Sequence, residues 1–319
     1  MNCWIAQLKP FSTENRQRDS IEIFQKNSIS KNICGMGWNL PDIIEYTEAE
    51  LKLSDYKDKY KNDYSSYIRE SNPKWSSRHF TTALNAYQNM RVGDYILTRL
   101  FKSNECYIGK VTKEAYYNNY LDFEESGNYS WIVNVQWKAI GHFSNIPNSL
   151  RGIMQGRMNT IKCIPTEAPQ NELIRNLFND SINKVGINAA NFHLAIDPLD
   201  LEDLVALYIA YNNPGFNLLP SSCKISEPEV EYKLVCGSKR ITCQVKSNKE
   251  IDVSAYISLC TQYDRIYLFS GKGYDNAFNL PQNLFLINKT DLFEVLLNDF
   301  NQKGYFYDIL KDYFICTNH

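Results

Sequence analysis

Ile241-Thr242-Cys243-Gln244-Val245-Lys246 alternates with the period of a strand, so that Gln244 and Lys246 share one face while Cys243 and Val245 turn away. About a hairpin's length upstream, Val230-Glu231-Tyr232-Lys233-Leu234-Val235 reads as a second strand that carries an acid toward the same place. A strand that is apolar behind and polar in front, with a lysine among the polar groups, is awkward as core. A carboxylate and an amide oxygen suit a hard divalent cation, and an ammonium beside them can hold or activate a water. Taken alone, a Gln-x-Lys pair also describes a solvated strand face, and alternation puts Glu229 on the face of Glu231 as a rival acid. The order of the surrounding elements separates the two readings.

Outward from this strand, Leu199 to Ile209 has apolar residues at helical spacing and ends at Asn213-Pro214-Gly215. Strands follow at 216–219, 230–235 and 240–245, then a helix at 253–260, strands at 265–269 and 284–287, and an amphipathic helix at 291–300. The order α-β-β-β-α-β-β-α predicts a compact α/β domain with a mixed sheet. Glu202 lies in the first helix next to Asp203, where an acid is commonly exposed. Cys236, Cys243 and Cys260 read as small buried apolar groups, and Gly271-Lys272-Gly273 as a loop turn. His193 falls ahead of this domain, and His79 and His142 have no partner at triad spacing.

The ordered set Glu202, Glu231 and Gln244-Val245-Lys246 resembles the PD-(D/E)XK nuclease superfamily, in particular its Mrr-like restriction endonuclease branch. Residues 196–290 carry the resemblance, and Leu219-Pro220-Ser221-Ser222-Cys223-Lys224 also looks like a recurrent form of that branch. The resemblance implies a divalent metal, Mg²⁺ or Mn²⁺, held by Glu231, Gln244 and the Val245 carbonyl, with Glu202 acting directly or through water. Lys246 would orient the attacking water and stabilise charge developing on the phosphate. Two positions depart from the pattern: Glu231 stands where the superfamily usually has Asp, and Gln244 replaces an acid, as in the Mrr branch. Both departures bear on how strongly an ion is held.

The first half is rich in strands: 4–8, 32–38, 95–99, 106–112, 131–137 and 159–164, with Val92-Gly93-Asp94 turning into a hairpin of a small barrel. Gly35-Met36-Gly37-Trp38, Val92 to Leu97, Tyr107 to Val111 and Val135-Gln136-Trp137-Lys138 resemble PUA-like domains of the EVE/ASCH kind, which hold a flipped modified base. A flipped base needs aromatic faces, and each stacking contact contributes about 1–3 kcal/mol. Trp38, Trp75, Tyr95 and Trp137 are the candidates for base binding, although a Trp in a barrel is more often core. Arg91, Arg99, Lys102 and Lys110 are candidates for phosphate contacts.

Across 319 residues these readings predict an α+β PUA-like β-barrel domain at 1–165, a helical connector at 166–195, and an α/β nuclease-like domain with a central mixed sheet at 196–319. The composition is globular, 44% hydrophobic and 22% charged, and the net charge of −2 is no overall signature for nucleic acid. Nine cysteines show no zinc spacing, the start lacks a signal peptide, and no apolar run reaches a membrane span, which together predict a cytoplasmic protein without a membrane partner. The two resemblances together imply a modification-dependent DNA endonuclease of restriction or phage-defence type, acting on modified phage DNA as a homodimer or a DNA-induced dimer. The alternative is a non-cleaving DNA-binding or sensor subunit with the same folds.

Overall fold

The computed structural model describes residues 1–8, 18–36, 51–52, 85–87, 89–122, 128–155, 161–219 and 230–317. The chain divides into two compact units: 1–146, 154–166 and 174–182 form the first, and 147–153, 167–173 and 183–319 the second. Of the stretch read as a connector, 174–182 therefore falls with the first unit and 183–195 with the second.

The first unit is built from β1 (Cys3–Ala6), α1 (Arg18–Ser30), β2 (Ile33–Met36), β3 (Leu51–Lys52), β4 (Tyr95–Arg99), β5 (Glu105–Asp122), β6 (Asn128–His142) and β7 (Ile161–Cys163). The helices α2 (Asn148–Gln155) and α3 (Gln170–Phe178) contribute residues to both units. One curled mixed sheet runs β2-β6-β5-β4-β1-β7, with β3 beside β5. The hairpin expected from Val92-Gly93-Asp94 is present as the antiparallel pair β4–β5, with Tyr95 opposite Lys110. Ile5, Leu97, Ile108, Val133 and Val135 are buried along these strands.

Two carboxylates organise this unit. Asp94 is 2% exposed and accepts hydrogen bonds from the Asn2 amide at 2.8 Å, the Trp4 indole at 3.1 Å and the Arg91 amide at 3.1 Å. It thereby ties the start of the chain to the turn that opens β4. Glu22 and Gln25 of α1 take the amides of Ser103 and Phe101, at 2.7 and 2.8 Å, and so hold the β4–β5 turn. The strand reading did not include α1, whose buried positions are partly polar.

The second unit contains β8 (Val185–Ile187), α4 (Phe192–Ala195), α5 (Pro198–Asn212), β9 (Asn217–Leu218), β10 (Tyr232–Cys236), β11 (Lys239–Lys246), β12 (Ile251–Asp252), β13 (Arg265–Ser270), β14 (Tyr274–Asp275), β15 (Leu284–Leu286), α6 (Lys289–Asn301), α7 (Tyr305–Leu310) and β16 (Phe314–Cys316). Residues 253–261, expected as an α-helix, form a 3₁₀ helix. The expected mixed sheet is present in the order β15-β13-β11-β10-β9: β10 is antiparallel to β9 and β11, while β11, β13 and β15 run parallel. β11 is the central strand. Residues 241–245 are all buried, so the strand has no solvated face, and Thr242 satisfies its hydroxyl by donating to the Tyr232 carbonyl at 2.9 Å.

Candidate active site

Helix α5 places the first acid. Asp197 caps it by accepting the Leu199 amide at 3.0 Å, and Pro198 occupies the first turn, where a missing N–H costs nothing. Leu201, Leu204, Val205 and Ile209 form its buried stripe. Glu202 stands half-buried at the flank of that stripe, whereas Asp203 is exposed. The Tyr232 hydroxyl donates to the Glu202 carbonyl at 3.3 Å and pins the helix to the sheet. Tyr232 was not among the expected site residues, because it is the neighbour of Glu231 and alternation turns it to the other face.

The other residues come together across β10 and β11. Glu231 immediately precedes β10, and its amide donates to the Cys243 carbonyl at 2.9 Å, which locks the register at that point. The Lys246 ammonium lies 3.3 Å from Glu231 Oε1, and the Gln244 amide nitrogen donates to the same oxygen. Gln244 is 2% exposed, and its buried Oε1 has no hydrogen-bond partner among the described residues. An unsatisfied buried acceptor costs about 1–3 kcal/mol, so the amide is only half satisfied here: its nitrogen serves Glu231 and its oxygen none of the described residues. The Val245 carbonyl belongs to the same corner. Carbonyls alternate in direction along a strand, and since Cys243 accepts from Glu231, Val245 points to that same edge. Lys246 confirms the alternation by accepting the Gly271 amide from the β13 side at 2.8 Å.

Burial pushes the Glu202 carboxyl up to about 7; the charges of Glu231, Asp203 and Asp197 act in the same direction and Lys246 opposes them. Its proton therefore exchanges near neutrality. Burial likewise raises the Cys243 thiol and the Tyr232 phenol well above their ordinary ranges, so both are neutral packing groups.

Among the described residues, no three or more His, Cys, Asp and Glu side chains stand where they could share a metal ion. From the described residues, an ion at this corner would rest on two carboxylates at most, supplemented by the Gln244 and Val245 oxygens. These are all hard oxygen donors, the chemistry that magnesium and manganese accept, and the partnerless Gln244 Oε1 is the donor left over. The residues thus fit a weakly held divalent cation. Glu229, the rival acid, lies outside the described residues, as do 220–224 of the Leu219 to Lys224 segment.

In the first unit the candidates separate. Trp38 and Trp75 lie outside the described residues. Tyr95 is 3% exposed and packs edge-on against Phe178 with ring centroids 5.3 Å apart, so its ring serves the core. Trp137 is half-buried; its indole donates to the Ile33 carbonyl at 3.2 Å, and its ring lies so close over Gly109 that any side chain there would overlap it. The four cations do not form one patch. Arg91 and Lys110 stand near the Asp94 end of the β4–β5 hairpin, and Arg99 and Lys102 at the other end. Arg99 lies over the Phe143 ring at 4.3 Å, Lys110 is 6.0 Å from the Tyr95 ring, and Arg91 donates to the Met90 carbonyl at 3.0 Å. Lys102 is exposed at the turn that Glu22 holds.

No helix among the described residues is long and apolar enough to cross a membrane. No protein-family model matches the chain, and no curated protein or solved structure does so either.

Proposed function

We propose that this chain is a modification-dependent DNA endonuclease of restriction or phage-defence type, whose second unit hydrolyses phosphodiesters with a divalent metal and whose first unit is a PUA-like reader of a flipped modified base. The observation that carries the reading is the meeting of Gln244 and Lys246 on the Glu231 carboxylate, with a buried amide oxygen left over and the half-buried Glu202 close enough for Glu231 to raise its pKa. Buried polar groups with perturbed ionisation are costly to fold and gather at functional sites.

In this reading Glu231, Gln244 Oε1 and the Val245 carbonyl would hold the ion, with Glu202 contributing directly or through water, and a bound ion would supply Lewis acidity to the phosphate. Lys246, reaching Glu231 at 3.3 Å, orients the attacking water and meets the negative charge that grows on the phosphate oxygens. Water attacks phosphorus as the bond to the leaving oxygen breaks; Glu202, with a pKa of about 7, takes up the water's proton, and the leaving oxygen takes a proton from solvent water. Cutting both strands with one site per chain calls for two copies, so a homodimer or a pair assembled on DNA belongs to the proposal.

A second reading keeps the fold and the DNA but not the cleavage, leaving a sensor or binding subunit of a defence system. The small number of carboxylates among the described residues at the corner favours it. Incubating the protein and a Lys246→Ala variant with modified and unmodified phage DNA, in magnesium or in EDTA, separates the two. Metal-dependent cutting of modified DNA that the variant loses is the expected result. Binding without cutting by either protein selects the second reading.

A further inference from the structure

We propose that His193 is a positioning residue for Lys246, clamping the paired ends of β11 and β13 from which the lysine leaves the sheet. These ends are in register, with Lys246 opposite Ser270. The residue after each one meets His193. The Ser247 hydroxyl donates to the His193 carbonyl at 2.9 Å, and the His193 ring lies so close to Gly271 that a methyl group there would overlap both the ring and the Ser247 carbonyl. Gly271 in turn donates its amide to the Lys246 carbonyl at 2.8 Å. One short helix, α4, therefore holds both strand ends, and the direction in which Lys246 departs toward Glu231 is set between them.

The ring acts by shape. It is 3% exposed, packed edge-on against Phe192 and Phe269 with centroids 5.7 and 6.4 Å away, and its buried Nδ1 has no hydrogen-bond partner among the described residues. Burial, aided by Lys289 and Lys272 and opposed by Glu167, lowers its pKa to about 4, so the ring is neutral. Its influence passes through two backbone groups, and a displacement of about 1 Å in a catalytic group can cost on the order of 100-fold in rate.

The catalytic part of this inference rests on the nuclease reading, but the positioning part can be read without it. The test is acetylation of the full-length chain with an N-hydroxysuccinimide ester, followed by mass spectrometry of Lys246 and, as an internal control, of Lys239 at the far end of β11. In the wild type, Lys246 is expected to react more slowly than Lys239, because its amine must leave the Glu231 carboxylate to reach the ester. His193→Ala and Ser247→Ala are expected to speed Lys246 labelling several-fold and leave Lys239 unchanged, while His193→Phe, which restores a ring over Gly271, keeps it slow. On cleavable DNA the first two variants are expected to lose kcat with KM unchanged. Wild-type labelling of Lys246 in both Ala variants would overturn the proposal. Should His193→Ala fail to fold, Ser247→Ala decides alone, since it removes only an edge hydroxyl. A wild type that never cuts DNA would sink the nuclease reading and leave the labelling result standing.

Discussion

The two units treat their partly and fully buried acids in opposite ways. In the first, Asp94 receives three hydrogen bonds from two amides and an indole. Burial works to raise the Glu22 carboxyl, but the hydrogen bonds from Lys26 and from the Ser103 and Lys102 amides outweigh it and hold it below its ordinary value. In the second, Glu202 is pushed up by burial and by a neighbouring acid, and Glu231 shares its corner with an amide whose oxygen is left without a partner. A satisfied carboxylate is a fastener of the fold. A frustrated one is held in place by the rest of the sheet, and proteins tolerate such conflict where they do chemistry.

The largest effect is expected where the fastening is most complete. Asp94→Ala leaves the Asn2 and Arg91 amides and the Trp4 indole without their acceptor, and is expected to cost about 3–5 kcal/mol in denaturant unfolding of the chain. Asp94→Asn keeps an acceptor and should cost less. If Asp94→Ala proves as stable as wild type, the carboxylate is no fastener and the contrast between the units fails.

A smaller effect is expected at the site. Gln244→Leu keeps the volume and removes both a buried acceptor with no partner among the described residues and a donor to Glu231, so the two effects offset and stability should stay within about 1 kcal/mol of the wild type. The same variant should lose metal-dependent cleavage and magnesium binding, the latter measured by calorimetry. A clear loss of stability would instead make Gln244 a structural residue.

The periodicity of 230–235 and 240–246 placed Glu231, Gln244 and Lys246 together correctly, because period-2 alternation is a local property that tertiary contacts did not override. Other features were hidden for physical reasons. Helix α1 buries Glu22, Gln25 and Ser28 while exposing Ile23, so its inward face does not look apolar. β11 read as apolar behind and polar in front, yet Gln244 is buried, since nothing in one strand's pattern reports that both faces are covered. His193 was set aside as lying ahead of the domain, although its contacts to Ser247 and Gly271 belong to the sheet's own end. Asp94 looked like one more turn residue, and its role depends on partners about 90 positions away in the sequence.

The half-buried Glu202 and the buried His193 of the second unit should also oppose each other as pH changes. Glu202 has a folded pKa of about 7 against an ordinary 4.5, so the folded chain keeps this proton longer than the unfolded one, and its contribution to stability falls as pH rises through that window. His193 has a folded pKa of about 4 against 6.5, so its contribution is full above 6.5 and is lost as pH falls toward 4. Urea midpoints across this range should show Glu202→Gln removing the falling limb and His193→Phe the rising one. A Glu202→Gln profile that follows the wild type would mean that the acid is well solvated and not frustrated.

The smallest effect concerns two lysines that face acids. Lys138 is used for the fold: its ammonium donates to the Leu177 and Phe178 carbonyls at 2.9 and 2.7 Å, at the C-terminal end of α3, and meets Asp180 at 2.6 Å. A cation there satisfies two orphan carbonyls and complements the helix dipole. Lys246 meets one carboxylate at 3.3 Å and stands 38% exposed, an ion pair worth little to stability. Lys138→Met is therefore expected to cost about 1 kcal/mol of stability and leave cleavage unchanged. Lys246→Met should leave the denaturation midpoint within error of the wild type and abolish cleavage. Equal stability losses in the two variants would show that Lys246, too, is a fastener, and would remove the main reason for placing it in the chemistry.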